Sequence, residues 1–452
     1  AALVILIINP LSLFMPGFQL SFGATLGIIV LFPRIRKTFY FLPKGIADLV
    51  CVTISAQLGI LPLLIYYFGE ISIICILTNV LILPLIGVII ILGFVSIITA
   101  FILPQIGSII GAVNSLLIKL IINSSLFFSR LPYSTISIKT PSILLIITYY
   151  LFLYSLIKRN KKAFTLLTLL IVIIIWHPIV IGGVSGLEVT FIDVGQGDAI
   201  FIKTPKGKNI MIDSGGLPDY YLGDFDIGTD VILPFLRYKG VRKLDMIFIS
   251  HIHDDHIKGF IPVLDEISVD YFVQAPQKVL TPNYKLLIDK LKKYNIPVIS
   301  VSKGDYITLE KDLELYVLHP DLEWISRDPF DFNNNSLVIM MKYKNTTFLF
   351  TGDIESAAES KIADDFRLQL KSDVLKVAHH GSNTSSIDSL IENIQPSIAI
   401  ISVGRNTFGH PHNDVINRIK ALGVDIFRTD VDGAVTIKTN GYKIKCNTTI
   451  KN

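Results

Sequence analysis

A multi-span α-helical membrane domain followed by a layered α/β domain is the fold class this 452-residue chain predicts. Three observations carry that reading. Charge divides unevenly: residues 1–187 hold 11 Lys and Arg but two acids, Asp48 and Glu70, a net +9, whereas residues 188–452 hold 30 Lys and Arg against 35 Asp and Glu, a net −5. Long apolar runs fill the first part, and from Leu187 they give way to short β-rich runs broken by Gly, Asp and Asn. Finally, three of the chain's nine histidines fall within 251–256. A contrast of this kind points to two environments.

The apolar runs at 46–67, 84–103, 106–129, 142–157 and 164–180 come close to the roughly 17–25 residues of a membrane-spanning helix, with 142–157 the shortest. Two acids in so long a stretch argue against a soluble core. Between the last two runs lies Lys158-Arg159-Asn160-Lys161-Lys162, and short loops of that charge stay cytoplasmic. The last span then exits on the opposite face, which puts the part beginning near Gly186 outside the cytoplasm. Pro33-Arg34-Ile35-Arg36-Lys37 reads as a second cytoplasmic loop, and Pro62, Pro84 and Pro104 mark kinks, re-entrant segments or helix ends. The opening Ala1-Ala2-Leu3-Val4-Ile5 has neither Met nor a charged flank, so it reads as a start inside a membrane segment and not as a signal peptide. Gln19, Ser21, Gln57, Asn79, Gln105 and Asn114 are the polar candidates for lining a path, although such residues more often bond helix to helix. Cys51, Cys75 and Cys446 have no metal-type spacing, and their odd number leaves no complete disulfide set.

In the second part the pattern predicts strands over 187–194, 199–202, 209–216, 246–250, 313–318, 336–342, 346–351, 374–378, 398–402 and 433–437, with helices over 282–294, 355–367 and 413–421. Roughly 265 residues arranged this way suit one layered α/β domain. Polar ligands gather where the apolar strands stop. Ser250-His251-Ile252-His253-Asp254-Asp255-His256 follows the run 246–249; His251 and His253, two apart on extended chain, point the same way and can grip one metal ion. Asp255 and His256, past the turn, can face a second ion about 3.5–4 Å from the first. Asp353 follows 347–352, His379 and His380 follow 374–378, and His410 and His412 lie beyond 398–404. His319 ends another strand without a ligand pattern and reads as structural.

The motifs DVGQGD (193–198), IDSGG (212–216), SHxHxDH (250–256), NNNS (333–336), FTGDIE (350–355), VLKVAHHGS (374–382) and GHPH (409–412) resemble the metallo-β-lactamase-like domain of the ComEC family of DNA-uptake membrane channels. In the first part, Asn9-Pro10-Leu11-Ser12-Leu13 and Pro16-Gly17-Phe18-Gln19-Leu20-Ser21-Phe22 resemble that family's competence-domain signature. The resemblance covers essentially the whole chain and implies a competence membrane domain over 1–182 and an αββα hydrolase domain over 187–452. It makes His251, His253, Asp255 and His256 metal ligands, Asp353 the bridging carboxylate, and one of His379 and His380 with His410 the completing ligands. The implied cofactors are two divalent ions, zinc or manganese. Asn333-Asn334-Asn335-Ser336 stands where the wider superfamily has a histidine, which suggests an asymmetric site with Asn334 or Asn335 near it; Lys258-Gly259 replaces a common Gly-Gly pair.

Two such ions would lower the pKa of a water from about 15.7 towards about 7 and neutralise charge developing on a phosphodiester. Asp255, Asp353 and His256 are then the catalytic candidates, the carboxylates as orienting and proton-accepting groups. Asp193, Gln196, Asp198 and Asp213 are expected beneath the ligands, and a plain hairpin turn competes for 193–198. Lys376, Ser382 and Lys258 could reach a phosphate, although a solvated lysine is the commoner case. The expected function is DNA internalisation, with the outer domain degrading the strand that is not transported. A single DNA strand, membrane lipid, other competence proteins and a second copy of the chain are the expected partners. A net −5 argues against strong nonspecific DNA binding by this domain. The rival readings are a membrane-anchored hydrolase of small esters or thioesters and a DNA transporter whose metal domain is inert.

Overall fold

The computed structural model describes residues 1–450 apart from 130, 132, 133, 139, 159, 181–185, 219, 220, 222 and 277, with backbone alone over 175–180. Arg159 of the basic loop and the expected junction near residue 182 lie outside the described residues. The chain forms a helical unit and an α/β unit.

The helical unit runs α1 (Ala2–Ile8), a 3₁₀ turn over Pro10–Phe14, α2 (Pro16–Thr38), α3 (Lys44–Phe68), β1 (Glu70–Ser72), α4 (Cys75–Ile102), α5 (Pro104–Ser129), β2 (Thr135–Ser137), α6 (Ile143–Ile157) and α7 (Lys161–Val180). Among the described residues, α2 to α5 are long and apolar enough to cross a membrane, while α6 has 15 residues. Their apolar faces are largely exposed, as suits a lipid surround. The competence-like stretch builds the start of α2: Pro16 takes the first helical position, where its missing N–H costs nothing. Gln19 accepts a hydrogen bond from Tyr67 of α3 at 2.8 Å, so this polar residue ties helix to helix. Gly27 and Gly59 let α2 and α3 touch, since a Cβ on Gly27 would lie 2.8 Å from the Gly59 Cα. One expectation is corrected here. Residues 33–37 form the last turns of α2, not a loop, because Arg34 and Arg36 favour helix and Arg36 bonds Asp48 at 2.6 Å. Pro62 and Pro84 lie inside continuous helices, and Pro104 opens α5.

The α/β unit contains β3 (Leu187–Phe191), β4 (Ile200–Lys203), β5 (Asn209–Ile212), β6 (Lys243–Phe248), β7 (Ser268–Gln274), β8 (Val298–Ser300), β9 (Tyr306–Glu310), β10 (Leu313–His319), β11 (Val338–Tyr343), β12 (Thr346–Phe350), β13 (Val374–Lys376), β14 (Ile398–Ile401), β15 (Asp425–Arg428), β16 (Val435–Thr439) and β17 (Ile444–Thr448). They form one sheet ordered β17-β16-β3-β4-β5-β6-β7-β8 and another ordered β15-β14-β13-β12-β11-β10-β9. Alternating side chains such as Val189, Phe191, Phe248, Leu315 and Phe350 fill the space between the sheets. Helices Phe260–Glu266 and Pro282–Lys293 cover the first sheet's outer face, and Ser356–Phe366, Asp388–Ile394 and Asn413–Ala421 cover the second's. Helix, sheet, sheet and helix make the four layers of an αββα sandwich. Strands β5 to β8 run parallel, as do β12 to β15, so the loops leaving their C-terminal ends carry the polar motifs.

Candidate metal centre

The histidine motif begins at Ser250, two residues past the end of β6. His251 Nε2 lies 2.8 Å from His253 Nδ1, the convergence that two-residue spacing on extended chain predicts. His256 follows a turn, and its two nitrogens face different neighbours. Nδ1 lies 2.9 Å from Asp213 Oδ2, at the end of β5, while Nε2 lies 3.2 Å from Asp353 Oδ2, past the end of β12 in the other sheet. The centre is thus assembled by both sheets. Asp353 can reach it because Gly352 precedes it with φ +55; a Cβ there would fall 2.8 Å from the Ser336 Cβ and 2.9 Å from that of Ser250.

Asp213, His379 and His380 also have left-handed backbones, which side chains other than glycine rarely adopt. At 379–380 this turns neighbouring rings to separate partners. His380 Nδ1 donates to the Ser402 carbonyl at 2.8 Å, which aims Nε2 at Asp353 Oδ2 (3.2 Å) and Asp255 Oδ2 (3.6 Å). His379 Nδ1 lies 3.1 Å from Glu355 Oε1, and its ring packs at 5.4 Å from that of His410. His380 joins the cluster; His379 and His410 flank it.

Four groupings bring ligand atoms within 4.8 Å of one another: His251 with His256 and Asp353, Asp255 with His256 and His380, Asp198 with Asp353 and His380, and Asp198 with Asp213 and His256. Asp198, expected beneath the ligands, therefore stands among them. Among the described residues its Oδ1 is a buried oxygen that meets no hydrogen-bond donor. Lys376 is the fixed cation, 1% exposed, paired with Asp198, 3.2 Å from Asp353 Oδ1 and donating to the Gly352 carbonyl at 2.7 Å.

Electrostatics follow from burial. Burial opposes charge on Asp353, but His380, His256 and Lys376 outweigh it and hold the carboxyl well below its usual range. Burial likewise opposes charge on His256, yet Asp353, Asp255 and Asp213 raise it well above an ordinary histidine. Burial and the neighbouring His256 charge keep His251 neutral. His380 is pushed up to about 10, Asp353 and Asp255 overcoming its burial. Four carboxylates converge on one lysine and these imidazoles, a donor set that fits divalent cations.

Several expected site residues stand elsewhere. Asp193 is exposed and caps its own turn by accepting the Gly195 N–H at 3.1 Å, so the hairpin reading holds at that position. Gln196 braces Gly404, whose N–H it accepts at 3.4 Å. Asn334, expected near the site, closes the 331–335 turn: its amide donates to Asp331 at 2.9 Å and accepts the Glu355 N–H at 3.1 Å. Asn335 donates to the Asp328 carbonyl at 2.8 Å, and its buried oxygen meets no donor among the described residues. Ser382 bonds Thr384 at 2.9 Å, not a ligand. Lys376 is buried rather than solvated, and Lys258 donates to the Leu217 carbonyl at 2.9 Å. His319 donates to the Asn334 carbonyl at 2.7 Å against Trp324, a structural place. Glu355, beside His379 and Asn333, is a site neighbour that the FTGDIE motif contains but that no ligand spacing marks.

A competence protein family model matches residues 1–163, and a metallo-beta-lactamase superfamily model matches residues 192–405. ComE operon protein 3 of Bacillus subtilis (strain 168) is 30% identical over 99% of this chain and 58% of its own length. Competence protein ComA of Neisseria gonorrhoeae is 29% identical over 55% of the chain and 31% of its own length. Recombination protein 2 of Haemophilus influenzae is 30% identical over 55% of the chain and 28% of its own length. The chain spans little more than half the length of the Bacillus relative. With membrane-type helices under the first model and the αββα sandwich under the second, the chain is similar to the ComEC family of competence proteins along nearly its whole length.

Proposed function

We propose that this chain serves DNA internalisation in natural transformation, and that its α/β unit lies outside the cytoplasm and hydrolyses phosphodiesters of the strand that is not transported. One observation carries the reading: a buried His and Asp cluster of metal-binding geometry in a chain that also holds a competence membrane domain. The basic segment 158–162 before the last apolar helix supports the orientation. Other competence proteins are the expected partners, since a unit of net −5 has little general attraction for a phosphate backbone.

His251, His253, Asp255, His256, Asp353 and His380 would hold two divalent ions, with Asp198 at hand. When bound, zinc or manganese supplies Lewis acidity at the phosphate and acidifies a water. The remaining steps fall to the chain. Asp213 fixes the His256 tautomer by accepting from Nδ1, and the Ser402 carbonyl does the same for His380. Lys376 holds Asp198 and Asp353 together. Asp255, half-buried at the edge of a cavity, takes the proton from an attacking water in this reading.

Detergent-purified chain, supplied with Zn²⁺, Mn²⁺ or Mg²⁺, is expected to cut labelled DNA, and Asp255→Ala to lose at least a hundredfold of that rate. Equal cleavage by the two proteins removes the proposed site. Turnover of small esters with none of DNA would replace the reading by that of an anchored esterase.

A further inference from the structure

Beside the metal centre lies a cavity of about 800 Å³, with His253 and Asp255 on its floor. The loop after β14 also lines it, through Arg405 to Phe408, and that loop is fixed in shape. Asn406 donates to the carbonyls of Gly404 (2.9 Å) and His410 (2.8 Å), and its oxygen accepts the N–H groups of Phe408 (3.0 Å) and His410 (3.1 Å). Gly404 presses against the turn at 195–196, where a Cβ would lie 2.3 Å from the Gly195 carbonyl carbon. Such a frame holds out Arg405 and Phe408. Phe408 is 68% exposed, and Tyr221, across the cavity, is 45% exposed. Arg405 is exposed and makes no ion pair or side-chain hydrogen bond among the described residues.

An apolar ring held into water by a rigid loop, next to an uncommitted guanidinium, has a specific use. We propose that this wall takes a single strand of DNA, Phe408 stacking on an unpaired base and Arg405 pairing with a backbone phosphate, so that the next phosphodiester is laid over Asp255. This rests on the reading that the centre acts on DNA and adds which form it takes. In a duplex each base face is covered by its neighbours, so a protruding phenyl ring selects unstacked strands. The negative unit suits this division, because stacking is insensitive to net charge and one arginine supplies a directed contact.

The test reads binding apart from turnover. Fluorescence anisotropy with the full chain in detergent and EDTA would compare a labelled single-stranded oligonucleotide with an abasic strand of equal length. Phe408→Ala is expected to weaken binding of the normal strand about tenfold, in line with about 1–3 kcal/mol per stacked base, and to leave the abasic strand unchanged; Phe408→Tyr restores it. Arg405→Gln is expected to reduce the slope of log affinity against log salt by about 0.7, the share of one phosphate on a single strand. Equal losses on normal and abasic strands, an unchanged salt slope, or no binding of single strands by the wild type each overturns the proposal. Binding that behaves as described without cleavage under any metal ion would instead overturn the hydrolytic reading and leave this wall standing.

Discussion

Lys376 offers the sharpest test of how the centre is held together. Its ammonium is buried against Asp198 and Asp353 and takes no part in solvent. Replacing it by Met keeps the volume but leaves two buried carboxylates facing each other without their fixed cation. Breaking a buried pair from one side costs about 3–5 kcal/mol, which for a domain of this size lowers the melting temperature by roughly 6–20 °C. Divalent ions change the sum. In the wild type a metal at 100 times its dissociation constant adds about 2.7 kcal/mol, and it does so against the repulsion of the lysine. Lys376→Met removes that repulsion and leaves the same carboxylates waiting for positive charge. The metal increment in the variant is therefore larger than in the wild type. Differential scanning calorimetry of both proteins, in EDTA and in Zn²⁺ or Mn²⁺, reads all four corners of this cycle. A cost below about 1 kcal/mol in EDTA, or equal metal increments in the two proteins, would refute the account of Lys376 as an internal counter-ion of the ligand carboxylates.

Two further outcomes follow from neighbouring contacts. Asp213 accepts from Ser250 N–H at 2.7 Å, from its hydroxyl at 2.6 Å and from His256 Nδ1 at 2.9 Å, so Asp213→Asn should free the His256 ring and weaken metal binding about 10–100-fold. A chelator-competition titration measures this, and a change under twofold denies Asp213 its orienting role. Away from the centre, Glu359 is buried under Ser386 and Ile387, whose N–H groups it accepts at 2.6 and 2.8 Å; burial pushes its pKa up to about 7 despite those donors. A raised carboxyl pKa means stability is fully present below the unfolded value near 4.5 and is lost as pH climbs through 7, at most about 3 kcal/mol. Glu359→Gln gives up one acceptor at every pH but removes the titration, so urea melts from pH 5 to 8 should fall less steeply than those of the wild type. Parallel curves would show that Glu359 keeps its charge throughout.

What the sequence discloses about this fold depends on how each residue earns its place. β6 and β12 are legible because both faces of a central strand are buried, giving short apolar runs that end on the polar motifs. β8, at a sheet edge, has all three of its residues exposed, and Val298-Ile299-Ser300, although β-favouring, is too short for a period to show. β7 shows the opposite failure: Tyr271 and Phe272 are β-favouring, but Ser268, Asp270 and Gln274 break the run, and its buried residues gain their meaning from β6 and β8 on either side.

The site divides along the same line. His251 and His253 could be paired from spacing alone, because two residues on extended chain is a local geometry. The choice between His379 and His380 could not, because both follow the same strand and differ by one residue. A left-handed backbone at each sends the rings apart, and the decision falls to the Ser402 carbonyl, which lies just past the end of the next strand and takes the His380 Nδ1. Asp198 is harder still. A plain hairpin turn competes for its segment, and Asp193 caps that turn; Lys376, reaching from the other sheet, together with His256 and His380 marks Asp198 as part of the buried charge. Ligands fixed by chain-local geometry can thus be read in advance. Those fixed by a partner in the facing sheet or the neighbouring strand have no local signature, and the charge balance of the metal centre depends on that second class.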